Sequence, residues 1–206
     1  MKKLFITSLL FITTCTIFAQ KQGEWRMRLR GTYVVPDASA DITTIGGSVD
    51  ISKTVIPELD FTYFFANRFS ANLILGTTKN KVTATNTSLG NVELGHVWLL
   101  PPTLTFLYHQ PLGGDVLPYI GAGVNYTVFY SKSFSDPVTY ISYKNRFGFA
   151  MQLGSDFDIS KKWFINVDIK KILLKTKNTV QAAGATVYSD TKINPWLFSA
   201  GVGIKF

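Results

Sequence analysis

The sequence predicts an all-β chain, an eight-stranded antiparallel transmembrane β-barrel with short periplasmic turns and long extracellular loops. Three observations carry this reading. Eight segments alternate between an apolar face and a polar or small-residue face, the period-two signature of strands with two unlike sides. The connections between them alternate between short and long, as in outer-membrane barrels. The apolar faces begin and end in aromatics, as interfacial girdles do.

Composition agrees. Hydrophobic residues make up 46% of the 206 and charged residues only 17%, the latter below the roughly 25% usual for soluble domains. Disorder is excluded, because it requires high charge and few aromatics. Residues 1–19 are expected to be a secretory signal peptide and residues 20–206 the barrel. Lys2 and Lys3 form a basic start, Leu4 to Phe18 an apolar stretch, and Ala19 a small residue for cleavage before Gln20. Cys15 is the sole cysteine; Thr13-Thr14 before it is a poor lipoprotein processing site, and it leaves with the leader. The mature chain then has no disulfide and no thiolate metal ligand. Losing Lys2 and Lys3 lowers the formal charge from +8 to +6. The remaining basic residues are scattered, which argues against a nucleic-acid partner.

Each strand is legible in turn. The first sets Trp25, Met27, Leu29, Gly31 and Tyr33 against Glu24, Arg26, Arg28, Arg30 and Thr32. The second sets Leu59, Phe61, Tyr63 and Phe65 against Glu58, Asp60, Thr62 and Phe64. The third opposes Phe69, Ala71, Leu73 and Leu75 to Ser70, Asn72, Ile74 and Gly76. In the fourth, Leu104, Phe106 and Tyr108 oppose Thr103, Thr105, Leu107 and His109. The fifth, Tyr119 to Tyr130, runs Ile120, Ala122, Val124, Tyr126, Val128 and Tyr130 along its apolar face. The sixth opposes Phe147, Phe149, Met151 and Leu153 to Gly148, Ala150, Gln152 and Gly154. The seventh opposes Trp163, Ile165, Val167 and Ile169 to Phe164, Asn166, Asp168 and Lys170. The eighth runs from Trp196 to Phe206, with Leu197, Ser199, Gly201, Gly203 and Lys205 on its inner face.

Ala66 to Arg68, Gln110 to Asp115 and Ser160 to Lys162 are short turns. Pro36 to Ser52, Lys79 to Gly95, Ser131 to Tyr143 and Thr176 to Lys192 are long and polar, and read as extracellular loops. A membrane helix is excluded: the longest uncharged stretch, Leu94 to Gly114, has Pro101 and Pro102 near its centre, and adjacent prolines break a helix interior. A soluble barrel with its apolar face inward is the rival. The glycines of the polar face (Gly121, Gly123, Gly148, Gly154, Gly201, Gly203) suit a crowded lumen better than a wetted exterior.

Four motifs then resemble one family. Leu59-Asp60-Phe61-Thr62-Tyr63, Leu100-Pro101-Pro102-Thr103-Leu104, the run Pro118 to Thr127, and the ending Asn194-Pro195-Trp196 to Phe206 are similar to the outer membrane protein W (OmpW) family. The resemblance runs from Trp25 to the terminus. It implies a monomeric barrel in the bacterial cell outer membrane, surrounded by outer-membrane lipid, that gives small hydrophobic molecules passive passage. It also implies that the terminal aromatic, Phe206, is an assembly signal for the barrel-assembly machinery. Family members narrow the lumen with inward apolar side chains on the third and seventh strands. Ile74 fits that pattern, whereas Lys170 stands where a large aromatic is expected, so the resemblance does not extend to a hydrophobic gate at that level.

Within the lumen, Arg26, Arg28 and Arg30 share one inward face and Glu58 and Asp60 the next, with Asp168 on the seventh strand. These are expected to form a charge network filling the interior; the alternative is an ion or solute path. Eight strands enclose just enough room for side chains, which argues against a water-filled pore. Lumen-lining or constriction candidates are Ile74, Leu99, Leu107, Phe164, Lys170, Ile172 and Leu197. Pro101 and Pro102 cannot donate to a ladder and are candidates for a lateral exit into lipid; alternatively they only start a strand.

No catalytic motif is present: there is no nucleophile elbow, no phosphate-binding glycine loop and no cysteine nucleophile. Ser88 and His96 are the nearest approach to a Ser-His pair in the loops. No metal site or cofactor is expected, and His96 and His109 lack partners at metal-ligand spacing. The rival to a passage function is a non-conducting structural or surface-interaction barrel whose extracellular loops bind a partner.

Overall fold

The computed structural model describes residues 22–42, 46–88, 90–136, 138–182 and 185–206; the expected leader lies outside them. The strands are β1 (Trp25–Val35), β2 (Ser39–Ile42), β3 (Ser48–Ile51), β4 (Thr54–Ala66), β5 (Phe69–Gly76), β6 (Thr78–Thr87), β7 (Gly90–Leu100) and β8 (Thr103–His109). They continue as β9 (Val116–Phe134), β10 (Val138–Tyr143), β11 (Arg146–Asp158), β12 (Trp163–Leu173), β13 (Lys175–Ala182), β14 (Ala185–Lys192) and β15 (Trp196–Lys205). Eight of them close the barrel in the order β1, β4, β5, β8, β9, β11, β12, β15, and β15 pairs back with β1. Every pairing is antiparallel. Closure leaves no open edge in lipid, where an unpaired backbone group has no water to bond.

The long connections are not the irregular loops their polarity suggests. They hold seven more strands. β6 and β7 form a hairpin that continues β5 and β8 outward, β7 pairs with the far end of β9, and β3 adds to β6. β10, β13, β14 and β2 make a second sheet. The physical reason lies in strand length. A tilted strand crosses the hydrocarbon in about 9–11 residues, whereas β9 alone has 19. The excess continues the ladder beyond the membrane, with polar residues outward and Val82, Ala84, Val97 and Val187 buried inward.

The outer face of the barrel is apolar and uncovered. Leu29, Phe106, Ile120 and Leu153 are all more than half exposed, a continuous band that water would not tolerate. Aromatic pairs mark its two rims. Trp25–Tyr63 (4.8 Å between centroids) and Phe69–Tyr108 (5.4 Å) lie by the short turns, and Tyr126–Phe147 (4.6 Å) and Trp98–Tyr130 (6.2 Å) towards the long connections.

Candidate functional site

The lumen changes character along its axis, and the change is written along four strands. From the turn end outward, β1 points Arg26, Arg28, Arg30, Thr32 and Val34 inward. β12 presents Phe164, Asn166, Asp168, Lys170 and Ile172. β4, read in the same direction, offers Phe64, Thr62, Asp60, Glu58 and Ile56, and β15 ends its inner face at Leu197. The inner half is charged and the outer half is apolar.

The charged half is one network. Arg28 donates from Nε and Nη2 to both oxygens of Asp156 (3.2 and 2.9 Å), and from Nη1 to Asp60 (2.9 Å) and Thr62 (2.6 Å). Such a planar fork matches a carboxylate at two points. Arg26 donates to Asp156 (2.7 Å) and to Glu24 at the rim (2.7 Å). Arg30 pairs with Glu58, lies 2.9 Å from Asp60 and 3.7 Å from Asp168. Lys170 Nζ reaches Glu58 at 3.2 Å. Four buried cations therefore face four buried carboxylates; neutral groups bond part of what remains, while Arg30 Nε, Asp60 Oδ2 and Asp168 Oδ1 have no hydrogen-bond partner. Tyr119 and Gln152 donate to Asp168 (2.9 and 2.8 Å), and Asn166 donates to Asp156 (2.8 Å). A low-dielectric interior tolerates such charges only when they are paired and bonded in this way.

Phe164 plugs the turn end. Its ring lies against the guanidinium carbons of Arg26 (5.3 Å) and Arg28 (5.4 Å), within the range of cation–π attraction. It fits because Gly203 faces it, where a Cβ would overlap the ring.

Above the network lies an apolar cavity of about 250 Å³. Val34, Ile56, Ile172, Leu174 and Leu197 form its floor cluster. Val49, Val82, Val97 and Phe129, from the strands beyond the membrane, wall its outer part. Tyr143 stacks on Phe129 (5.1 Å between centroids) there, and burial pushes its phenol up to about 12.

The residues singled out from sequence divide between these two regions. Leu99, Ile172, Leu197 and Pro101 line the cavity. Lys170 sits in the charged floor, and Phe164 and Leu107 are buried deeper. Ile74 is buried on β5 but is not part of the cavity wall. Arg26, Arg28, Arg30, Glu58, Asp60 and Asp168 are all in the network. Phe206 is exposed, and its backbone N–H donates to the Trp25 carbonyl (2.9 Å), fastening the terminus to β1. Sequence reasoning missed Asp156, which holds two arginines. The alternation of β11 continues past Gly154 and would have placed it inward.

Pro101 and Pro102 separate β7 from β8. On one side they are stitched to β9. Asn125 Nδ2 donates to Pro101 O (3.1 Å) and Pro102 O (3.4 Å), and the Tyr126 N–H to Pro102 O (2.9 Å). On the other side the ladder breaks: pairing stops at Ile74↔Thr103 and resumes at Thr78↔Leu99.

The OmpW family model matches residues 21–206, the whole of the described chain. The chain belongs to the OmpW family. It is 39% identical over 186 residues to the uncharacterized outer-membrane protein y4mB of Sinorhizobium fredii, covering 89% of this chain and 80% of that one. It is 30% identical to the dibenzothiophene metabolism operon protein PahQ of Pseudomonas aeruginosa, covering 90% of each. Among solved structures it is similar to the outer membrane protein OprG of Pseudomonas aeruginosa, with a TM-score of 0.83, 26% identity, and coverage of 91% of this chain and 98% of that one. This OmpW-family protein is an outer-membrane β-barrel, and its apolar band lies in lipid.

Proposed function

We propose that the barrel gives small hydrophobic molecules passive passage through the outer membrane. A solute enters the apolar cavity from outside, meets the charged floor, and leaves sideways into lipid through the ladder break beside Pro101 and Pro102. The observation that carries this is the seating of the cavity directly on the Glu58–Lys170 floor. An apolar solute gains nothing by displacing paired charges, so a straight path into the periplasm is opposed. The ladder break adjoins the cavity, since Pro101 lines it. Narrowing of the straight path falls to Lys170, Leu107 and Phe164, while Leu99, Ile172 and Leu197 hold the solute. Ile74 flanks the break at its inner end.

PahQ is a protein of a dibenzothiophene metabolism operon, which supports the choice of an apolar aromatic permeant. The same reading takes the barrel as monomeric, assembled by recognition of Phe206 by the barrel-assembly machinery, and non-enzymatic. Uptake of naphthalene by cells with and without the gene tests it. Faster uptake with the barrel present is the expected result. Equal uptake at equal surface expression would leave a surface-interaction barrel as the better reading.

A further inference from the structure

We propose that Lys175 and Lys192, side by side just beyond the lipid-facing rim, bind the phosphate of an outer-leaflet lipid. The inference needs only the barrel's place in the membrane and is independent of what passes through its lumen.

The ladder of β12 with β15 continues into that of β13 with β14 in one register, joined by the Ile172 N–H to Pro195 O (3.1 Å) and the Ile193 N–H to Leu174 O (3.0 Å). Its outward pairs can therefore be read in order from lipid to solvent. Val167↔Ala200 and Ile169↔Phe198 lie on the apolar band. Lys171↔Trp196 follows. The Lys171 ammonium lies 4.7 Å from the Trp196 ring centre and donates to Asn194 O (2.7 Å) and Asp37 (3.2 Å), so its charge is matched. Leu173, still exposed, is the last apolar side chain to face outward before the lysines. Two residues on, roughly 7 Å further along the strand, Lys175 stands directly opposite Lys192. Two more, and Lys177 meets Asp190 at 4.0 Å.

The Lys175–Lys192 rung is the exception in this series. Like charges directly opposite one another destabilise a sheet, and both lysines are exposed. Among the described residues neither has a carboxylate within ion-pair range; the nearest outward acid on β14, Asp190, is taken by Lys177. On its other side Lys192 faces Ser39 of β2, which is neutral. An anion from outside the chain is what reconciles the rung. Directly opposite Cβ atoms lie about 4.5–5.5 Å apart, so two flexible ammonium groups can each reach a different oxygen of one phosphate. Lysine serves phosphate well as a point charge with rotatable donors. The height of the pair selects the source. Leu173 and Phe198 offer exposed apolar surface immediately below it, where acyl chains lie, so a lipid gains both the charges above and the apolar strip beneath. Free phosphate gains the charges alone.

Phosphatidic acid and the diacylglycerol with the same chains test this, because they differ only in the phosphate. Detergent-folded protein is taken from micelles doped equally with both, and the lipid it retains is counted by native mass spectrometry. Phosphatidic acid should be retained preferentially. Lys175→Gln and Lys192→Gln should each lower its affinity about fivefold, the usual contribution of one lysine near an anionic lipid surface, and leave diacylglycerol unchanged. Lys161→Gln removes the same charge from a short turn at the opposite rim and should keep the preference intact. Lys192→Glu adds a test without lipid, because it turns the repulsive rung into an ion pair with Lys175. That variant should melt no lower than the unaltered protein and lose the preference. Equal retention of the two lipids would overturn the proposal. An equal loss in Lys161→Gln would overturn it too, by assigning the effect to net charge. Lower melting of Lys192→Glu would overturn the reading of the rung as repulsive. Displacement of phosphatidic acid by inorganic phosphate at constant ionic strength would overturn the lipid as the occupant.

Discussion

Lys170 Nζ lies 3.2 Å from Glu58 Oε2, and two residues further out on the same strands Ile172 and Ile56 enter the apolar cluster. This ion pair is the boundary between the two halves of the lumen. Lys170 has no other carboxylate within ion-pair range among the described residues, whereas Arg30 also has Asp60 and Asp168. Glu58→Leu should therefore strand the lysine and destabilise the barrel by roughly 3–5 kcal/mol, the usual cost of breaking a buried pair. Adding Lys170→Leu should restore most of that loss and extend the cavity inward by one level. Thermal melting of detergent-folded protein, followed by gel migration, measures both. Equal melting of the single and double variants would show that the pair is not coupled.

Asp156 poses the same question with two cations. It binds Arg26 and Arg28 together, so Asp156→Leu should destabilise by roughly 3–5 kcal/mol, and neutralising one arginine should recover only part of the loss. Full recovery needs Arg26→Met and Arg28→Met together. Melting temperatures of the series decide; full rescue by either methionine alone would mean that Asp156 serves one arginine only.

Much of this was legible in the residues. The period-two pattern of Trp163 to Lys170 places its inward and outward sets as the structure does, because a lipid-facing strand must be apolar at every second position. Val82, Ala84 and Val187 show the limit of that logic. They are buried in strands that continue beyond the membrane, but their neighbours Lys81, Thr83 and Thr186 face outward, so the segments read as polar loops. Outside lipid, water satisfies exposed backbone and side chains alike, and the contrast between faces weakens. The cavity was hidden for the same reason, since more than half of its wall comes from those segments. Asp156 was hidden by a strand end placed at Gly154, four residues too early.

Glycines at two positions of neighbouring strands should behave oppositely. Gly203 on β15 faces the Phe164 ring, and an added Cβ would overlap it. Gly31 on β1 faces outward with nothing within 4 Å of an added Cβ. Gly203→Leu should block folding or cost well above the ~1–3 kcal/mol of ordinary overpacking, while Gly31→Leu should fold normally in lipid. The fraction folded in detergent reads the difference, and equal yields would place Phe164 elsewhere than against β15.

Orientation gives a cysteine-labelling test, because residues 20–206 contain no cysteine. Ser88, between β6 and β7, and Gln181, near the tip of β13, are exposed on the long-connection side, and Lys161 is exposed in a short turn. On intact cells an impermeant thiol reagent should label Ser88→Cys and Gln181→Cys and leave Lys161→Cys unlabelled. Labelling of Lys161→Cys alone would invert the barrel.

The wall beside Pro101 and Pro102 supplies the sharpest test of lateral release. Neither proline has an N–H to give to the strand facing it, and the ladder is unpaired between Ile74↔Thr103 and Thr78↔Leu99. The β9 side differs: Asn125 Nδ2 already bonds both proline carbonyls and Tyr126 bonds one of them. Any opening should therefore form towards Leu75–Thr77 and not towards β9. Pro101→Val with Pro102→Val restores two donors, of which the one at position 101 faces the break because the Pro102 carbonyl already points to β9; closing that rung should slow uptake of an apolar solute several-fold without lowering the amount of folded protein at the surface. Asn125→Leu acts on the stitched side, where it should lower stability by about 1–3 kcal/mol by leaving the buried Thr127 hydroxyl without its acceptor and leave the route itself open. Uptake in cells matched for surface expression separates the two. Undiminished uptake in the double valine variant would exclude this wall as the exit and return the prolines to the simpler role of starting β8.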